Sequence, residues 1–329
     1  MKLASFQVQT QVGRFMRIGS VQADRLIDLS TAYVTLLAWQ GEPQPYRVME
    51  ALVPPDLRQL IEGGDRALQA AREAEAFVMD ALSKGDVPQG PQGEELVFGL
   101  SEVTLLPPLP QPNSLRDFIV FEQHMRRGYD AAGIEPPQEW YEMPIYYKGN
   151  ARSILGPEQE LRWPAYSEKL DYELEMACII GKEGRDVSRD AAEAYIFGFA
   201  CLNDFSARDI QMREMQCRLG PAKGKDFGTA LGPWIVTRDE VGDYQNLRMV
   251  ARINGEVWSE GNSRDMYHPW PRIIEHVAMG ETIYPTDVLG SGTVGLGCGL
   301  ELDRWLKPGD VVELEIEHIG VLRNKVVRG

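Results

Sequence analysis

The 329-residue sequence has little cysteine and little histidine, four of each. Cys178, Cys201, Cys217 and Cys298 stand apart, with no two three residues apart and no histidine at zinc-ligand spacing. That excludes the usual patterns for a structural zinc site or a redox Cys-x-x-Cys pair. Cys178, running into Ile179 and Ile180, reads as a small core residue in a reducing compartment, so a cytoplasmic location is expected. A catalytic histidine must be His124, His268, His276 or His318. No apolar run approaches the roughly 20 residues of a membrane span. Met1 to Thr10 lacks the charged-then-apolar pattern of a signal peptide. A basic excess is missing too: Lys plus Arg is 34 against 49 for Asp plus Glu, a formal charge of −15. Neutralising phosphates takes a basic surface, so neither nucleic acid nor an anionic membrane is an expected partner. The excess acid either keeps the protein soluble or includes carboxylates that converge on a metal ion.

What is present suits a folded chain of about two domains, with 43% hydrophobic and 25% charged residues. Residues 1–105 read as a smaller N-terminal α+β unit, with a strand-like opening over Leu3 to Val12. Over Asp65 to Lys84, Leu68, Ala71, Ala74, Val78 and Ala81 recur at helical spacing, with Gly85 where a helix stops. Pro107, Pro108, Pro110 and Pro112 fit neither a helix nor a central strand, so 106–112 reads as a linker. From 113 to 329 strand signals dominate. Glu173 to Ile180 and Tyr195 to Leu202 are strand-like, and Val312, Leu314 and Ile316 alternate with Glu313, Glu315 and Glu317 after the Pro308-Gly309-Asp310 turn. Helices here are few and short, one of them opening at Ser188 as N-cap. The class is β-rich α+β, not alternating βαβ.

Several residues carry a possible chemistry beside a plainer alternative. Gly290-Ser-Gly-Thr-Val-Gly295 satisfies G-x-G-x-x-G, but a second glycine-rich stretch follows instead of a helix. It therefore reads as a tight backbone approach rather than a dinucleotide loop, with Thr293 able to face a site. Glu173 and Glu175, two apart on a strand, share one face: either a solvent-facing stripe or a pair bridged by a cation. Asp204, directly after an apolar strand, is either a metal ligand or the N-cap of a helix over Ser206 to Met212. Ser114 can cap a helix that runs from Asp117 past His124, and a lone histidine is as readily structural as catalytic. Lys225, in the glycine-containing stretch Gly220 to Thr229, either offsets a carboxylate cluster or sits on a solvated loop.

Together these residues resemble the fumarylacetoacetate hydrolase superfamily. The resemblance rests on five pieces in order: Asp117 with His124 seven later, Leu170-Asp-Tyr-Glu-Leu-Glu175, Asn203-Asp-Phe-Ser-Ala-Arg-Asp-Ile-Gln211, Lys225-Asp-Phe-Gly-Thr229 and Ser291-Gly-Thr293. It covers 113–329 and implies the mixed β-roll of that family's C-terminal domain. It implies a divalent ion, Mg²⁺ or else Ca²⁺ or Mn²⁺, held by Asp117, Glu173, Glu175 and Asp204; an all-carboxylate shell suits hard cations. It implies His124 as general base oriented by Glu301, with Arg208, Gln211 and Lys225 stabilising an oxyanion. Other branches carry their histidine and glutamate on an N-terminal lid helix, and no such pair is found here.

The implied reaction is metal-dependent hydrolysis of a C–C bond in a β-diketo acid or acylpyruvate, a small anionic substrate, by a homodimer. Decarboxylation, hydration or tautomerisation of a 2-oxo acid is the second reading, and a non-catalytic metal-stabilised binding protein the third. Tyr147 and Thr293 match substrate-contacting positions. Three family positions differ: a substrate tyrosine is Ile119, a carboxylate-gripping arginine is Gly133 and a second tyrosine is Met215. Substrate recognition is therefore expected to be altered, with Arg126, Arg127 and Arg152 either replacement grips or surface residues.

Overall fold

The computed structural model describes residues 1–10 and 12–328. Gln11, inside the expected opening strand, and Gly329, at the end of the expected catalytic domain, lie outside the described residues.

A twelve-stranded mixed sheet organises the chain. Its centre is the strand Leu174–Ile180, every residue of which is buried. It runs antiparallel to Ile196–Asn203 on one side and to Val288–Gly290 on the other. Because strand side chains alternate, its two faces feed two cores. Met176, Cys178 and Ile180 join one that includes Trp270, Met249 and Leu314. Ala177 and Ile179 join the other, with Leu3, Ile18, Ala71 and Val78 from the N-terminal segment. This explains why the strand reads as a continuous apolar run rather than an alternating one.

A second, five-stranded sheet carries the alternation seen near the C-terminus. In Val311–Ile316, Val312, Leu314 and Ile316 are buried while Glu313 and Glu315 are half-buried. Those two glutamates face Arg323 and Arg252 on the flanking strands.

The first 105 residues do not core separately. Lys2 and Leu3 pair with Val236 and Ile235, so the N-terminal strands extend the main sheet. Their helices supply one face of its core; in Gly64–Ser83, Ala67, Ala70, Ala71, Ala74 and Val78 are buried. The proline passage is packed rather than free: Leu106 donates its amide to the Ser5 carbonyl, the Ser5 hydroxyl donates to the Pro108 carbonyl, and Leu109 is buried.

Three local expectations change. Ser114 caps no helix: Leu115–Phe118 is a strand, paired in parallel with Val288–Gly290 and antiparallel with Tyr146–Gly149. The sheet claims those backbone groups, so the helix starts only at Glu122. Asp204 caps no helix either, since the next one, Arg208–Met215, has Ala207 at its N-cap. After Ser188 comes a 3₁₀ helix, Arg189–Tyr195, without a side-chain cap bond.

Two outcomes follow from the shared core. Leu3→Ala, at a fully buried position, should cost about 2–5 kcal/mol, read as a lower urea midpoint. A chain beginning at residue 106 should lack a cooperative thermal transition; independent folding of that piece would contradict the shared core.

Candidate active site

Four acidic side chains meet where the sheet strands end. Asp117 lies on Leu115–Phe118, Glu175 near the start of Leu174–Ile180, Glu173 just before it and Asp204 just after Ile196–Asn203. All four are buried, and one oxygen from each lies within 4.8 Å of the others. The period-2 spacing of Glu173 and Glu175 puts both on one face, as their sequence separation predicts.

Glycine makes the approach of Asp117 possible. A Cβ on Gly290 would stand 2.3 Å from Asp117 Oδ1. At Gly292, with φ of +77°, it would meet the Phe118 carbonyl at 2.3 Å. The glycine-rich stretch is therefore a close backbone approach, and it brings Thr293 Oγ1 to 3.3 Å from Glu175 Oε1.

Partners compensate only half of the cluster. Lys225 Nζ pairs with Glu173 and lies 2.6 Å from Asp204 Oδ2. Arg208 Nη2 donates to Glu173 Oε1 at 2.8 Å. The Tyr147 hydroxyl donates to Asp204 Oδ2 at 2.6 Å, and Thr229 donates to Oδ1 at 3.1 Å. Asp117 and Glu175 have no such cation among the described residues, and Asp117 Oδ1 and Glu175 Oε2 are buried without a hydrogen-bond partner.

The titration behaviour follows. Burial tends to raise Glu173, but Lys225 and Arg208 prevail and bring it down to about 2. Burial and the neighbouring Asp204 push Asp117 well above the carboxylate range. Burial and Asp117 do the same to Glu175. Such a site lacks positive charge, and an all-oxygen shell with orphaned carboxylate oxygens fits a hard divalent cation.

Beside the cluster stands a histidine–carboxylate pair. His124, in the first turn of Glu122–Ala132, places Nδ1 2.9 Å from Glu301 Oε2 on the short helix Gly299–Leu302. Glu301 also accepts the amides of Leu296 and Gly297 at 3.1 Å and the Cys298 thiol at 3.4 Å. Burial opposes its ionisation, but the His124 contact and these donors hold its carboxyl below the usual range. An ionised Glu301 only accepts, so Nδ1 donates and Nε2 of the neutral ring is the free acceptor.

Asp171 ties the pair to the cluster and is a residue whose role the sequence did not reveal. Its carboxylate accepts the amides of Gly299 and Leu300 at 2.7 and 3.0 Å and Arg208 Nε at 2.8 Å. It sits inside the Leu170–Glu175 motif, but nothing in the spacing says that it reaches residue 299.

A cavity of about 450 Å³ opens over both groups. His124, Tyr147, Gln211 and Thr293 line it, so the implied metal ligands, catalytic residues and substrate contacts all border the cavity directly, except Glu301 and Asp204, which stand behind His124 and Tyr147. Ile119, Ile145 and Met215 form an apolar wall. The replacement grips named from the sequence do not line it. Arg126 is held by Glu122, Asp130 and Glu135, Arg127 by the Glu301 carbonyl and Arg152 by Gln111. Arg126 is captured by acids on its own segment, Arg127 and Arg152 by groups on other segments. Arg218, not foreseen, lines the cavity instead.

The chain is similar to known proteins. The family profile "Fumarylacetoacetate (FAA) hydrolase C-terminal" matches residues 115–327. The chain is 34% identical over 277 residues to a mitochondrial oxaloacetate tautomerase of Homo sapiens, covering 84% of this chain and 81% of the relative. It is 29% identical over 267 residues to the oxaloacetate tautomerase YisK of Bacillus subtilis, covering 79% of this chain and 85% of that one. Among solved structures, a Sphingobium maleylpyruvate hydrolase in complex with manganese (II) ion and pyruvate superposes with a TM-score of 0.68 at 26% identity, covering 100% of both chains. The profile match, the relatives and the four-carboxylate site together establish that this chain belongs to the fumarylacetoacetate hydrolase family.

Proposed function

We propose that this protein is a divalent-metal-dependent enzyme that interconverts the keto and enol forms of a short 2-oxo acid. The observation that carries the reading is the His124–Glu301 pair beside a buried four-carboxylate site. Relatives covering most of the chain are oxaloacetate tautomerases, which moves the weight from hydrolysis, expected from the sequence, to proton transfer.

Asp117, Glu173, Glu175 and Asp204 are the residues that would hold the ion, Mg²⁺ or Mn²⁺ by donor chemistry. When bound, the ion supplies positive charge beside a ketone oxygen, which makes the neighbouring C–H more acidic. His124 Nε2 takes that proton and returns it to oxygen, or runs the reverse. Glu301 fixes the ring tautomer and balances the charge while the imidazole carries the proton. Arg208 and Lys225 are already held by Glu173, so they set the charge of that carboxylate while Gln211 contacts the substrate. Tyr147, whose hydroxyl proton is held firmly because burial and Asp204 raise its pKa well above 10, stays a hydrogen-bond donor. Ile119, Ile145 and Met215 give one side of the cavity an apolar surface.

Hydrolysis of an acylpyruvate is the second reading. It is supported by the same pair, which can deprotonate water instead of carbon, and by the likeness to a maleylpyruvate hydrolase. A reducing compartment and a homodimeric assembly belong to the same proposal.

Four measurements test it. Decay of enol absorbance from oxaloacetate should accelerate with enzyme and Mg²⁺ or Mn²⁺ and stop with EDTA. Cleavage products from an acylpyruvate panel without oxaloacetate tautomerisation would favour hydrolysis. His124→Ala should lower kcat by roughly 10²–10⁴, with the metal-induced rise in Tm retained; full activity would remove the pair from the mechanism. Metal added to EDTA-treated protein at a hundredfold excess over Kd should stabilise it by about 2.7 kcal/mol. Glu175→Gln should lose that gain, and an unchanged wild-type Tm would contradict the metal site.

A further inference from the structure

Three cations line the cavity: Arg208, Lys225 and Arg218. Two are already paired with carboxylates. Arg208 gives Nε to Asp171, Nη1 to Gln211 and Nη2 to Glu173. Lys225 gives its ammonium protons to Glu173, to the Asp204 carboxylate and to the Asp204 carbonyl. Lys225 has no proton to spare, and the charge of buried Arg208, with three of its five N–H donors used, is already answered by Asp171 and Glu173. Arg218 differs: among the described residues its side chain makes no ion pair or hydrogen bond, although it borders the same cavity.

The backbone holds Arg218 in place. Its φ is +57°, a left-handed conformation that an arginine adopts only when its surroundings impose it. The imposition is visible on both sides. On one, the Arg218 amide donates to the Met215 carbonyl at 3.1 Å, closing the turn after the helix Arg208–Met215. On the other, the Glu214 carboxylate accepts the amides of Ala222, Lys223 and Gly224 at 2.9, 2.8 and 3.1 Å and clamps the return of the loop. Glu214 thus spends its charge on backbone rather than on Arg218.

The chemistry at the two ends of the cavity is complementary to one kind of ligand. The inner end, with its carboxylates and the divalent ion they would hold, suits a 2-oxo acid headgroup. Met215 and Ile145 form an apolar stretch along the wall. Arg218 adds an unpaired planar guanidinium, which suits a carboxylate and can grip it with two bonds. An acidic protein of net charge −15 also needs a local positive point to draw an anion in.

Resting on the 2-oxo acid reading above, we infer that Arg218 is the specificity residue that binds a second, distal carboxylate, so that the site prefers 2-oxo dicarboxylates over 2-oxo monocarboxylates of equal length. The loop Gln216–Gly220 presents that guanidinium, and its clamped base keeps it at the cavity rim.

Direct binding tests this without turnover. Calorimetry on the Mg²⁺-loaded protein compares 2-oxoglutarate with 2-oxopentanoate and 2-oxoadipate with 2-oxohexanoate, pairs that differ only in the distal carboxylate. Wild type should favour the dicarboxylate by about tenfold to a hundredfold at the better-fitting length, the range for a hydrogen-bonded charge. Arg218→Asn removes the charge while keeping a residue that tolerates left-handed backbone. It should collapse the preference toward one, and Arg218→Lys should restore part of it. A wild-type preference near one, or a preference unchanged in Arg218→Asn, overturns the assignment to Arg218 while leaving the 2-oxo acid reading intact. Failure of wild type to bind any of the four ligands overturns the 2-oxo acid reading and this inference with it.

Discussion

The fold depends on holding four carboxylates together in a buried space. Asp117, Glu173, Glu175 and Asp204 repel one another, and burial weakens the solvation that would ease the repulsion. Lys225 and Arg208 answer for Glu173 and Asp204 only. The raised pKa of Asp117 and Glu175 marks the part left unanswered. The strands around them cannot relax, because each is fixed by ladders on both sides and by cores on both faces. A hard cation fits this cluster, which lies beside the His124–Glu301 pair.

One side chain connects the ionic site to the proton-transfer pair. Asp171 accepts from Arg208, which holds Glu173, and from the amides that open the helix bearing Glu301. The two groups are thus positioned by a shared anion rather than by separate scaffolds. The N-terminal segment contributes from a distance. It seals the face of the main sheet opposite the five-stranded sheet, so the strands that carry the acids lie between two layers. The apolar wall and Arg218 border the same cavity as the carboxylates.

Much of the site was legible because its signals are local. The two-residue spacing of Glu173 and Glu175 fixes a common face whatever surrounds the strand. The glycines at 290 and 292 read correctly as close approach because no helix follows them. The alternation of Val312, Leu314 and Ile316 gave the half-buried strand directly. Errors arose where tertiary hydrogen bonding outbid a local preference. Ser114 is a good cap residue, but the sheet takes Leu115–Phe118, and the Ser114 hydroxyl donates to Asp287 instead. The first 105 residues look self-contained along the chain, yet the pairing of Leu3 with Ile235 gives them a shared core. The grips proposed at Arg126, Arg127 and Arg152 failed because nearby acids, a carbonyl and Gln111 satisfy them.

The sequence by itself determined the residue types and the local geometry: a β-rich chain, an acidic pair on one face, a scarce histidine supply and a glycine passage too tight for side chains. Only the tertiary structure decided which distant residues meet. His124 and Glu301 are separated by 177 positions and touch at 2.9 Å. Asp171 reaches across 128 positions to the Gly299 amide. Among the described residues Arg218 makes no side-chain ion pair, while Glu214 clamps the loop that carries it. Local spacing constrains neighbours along one strand or helix, whereas contacts between elements depend on how sheets stack and which polar groups burial leaves unsatisfied.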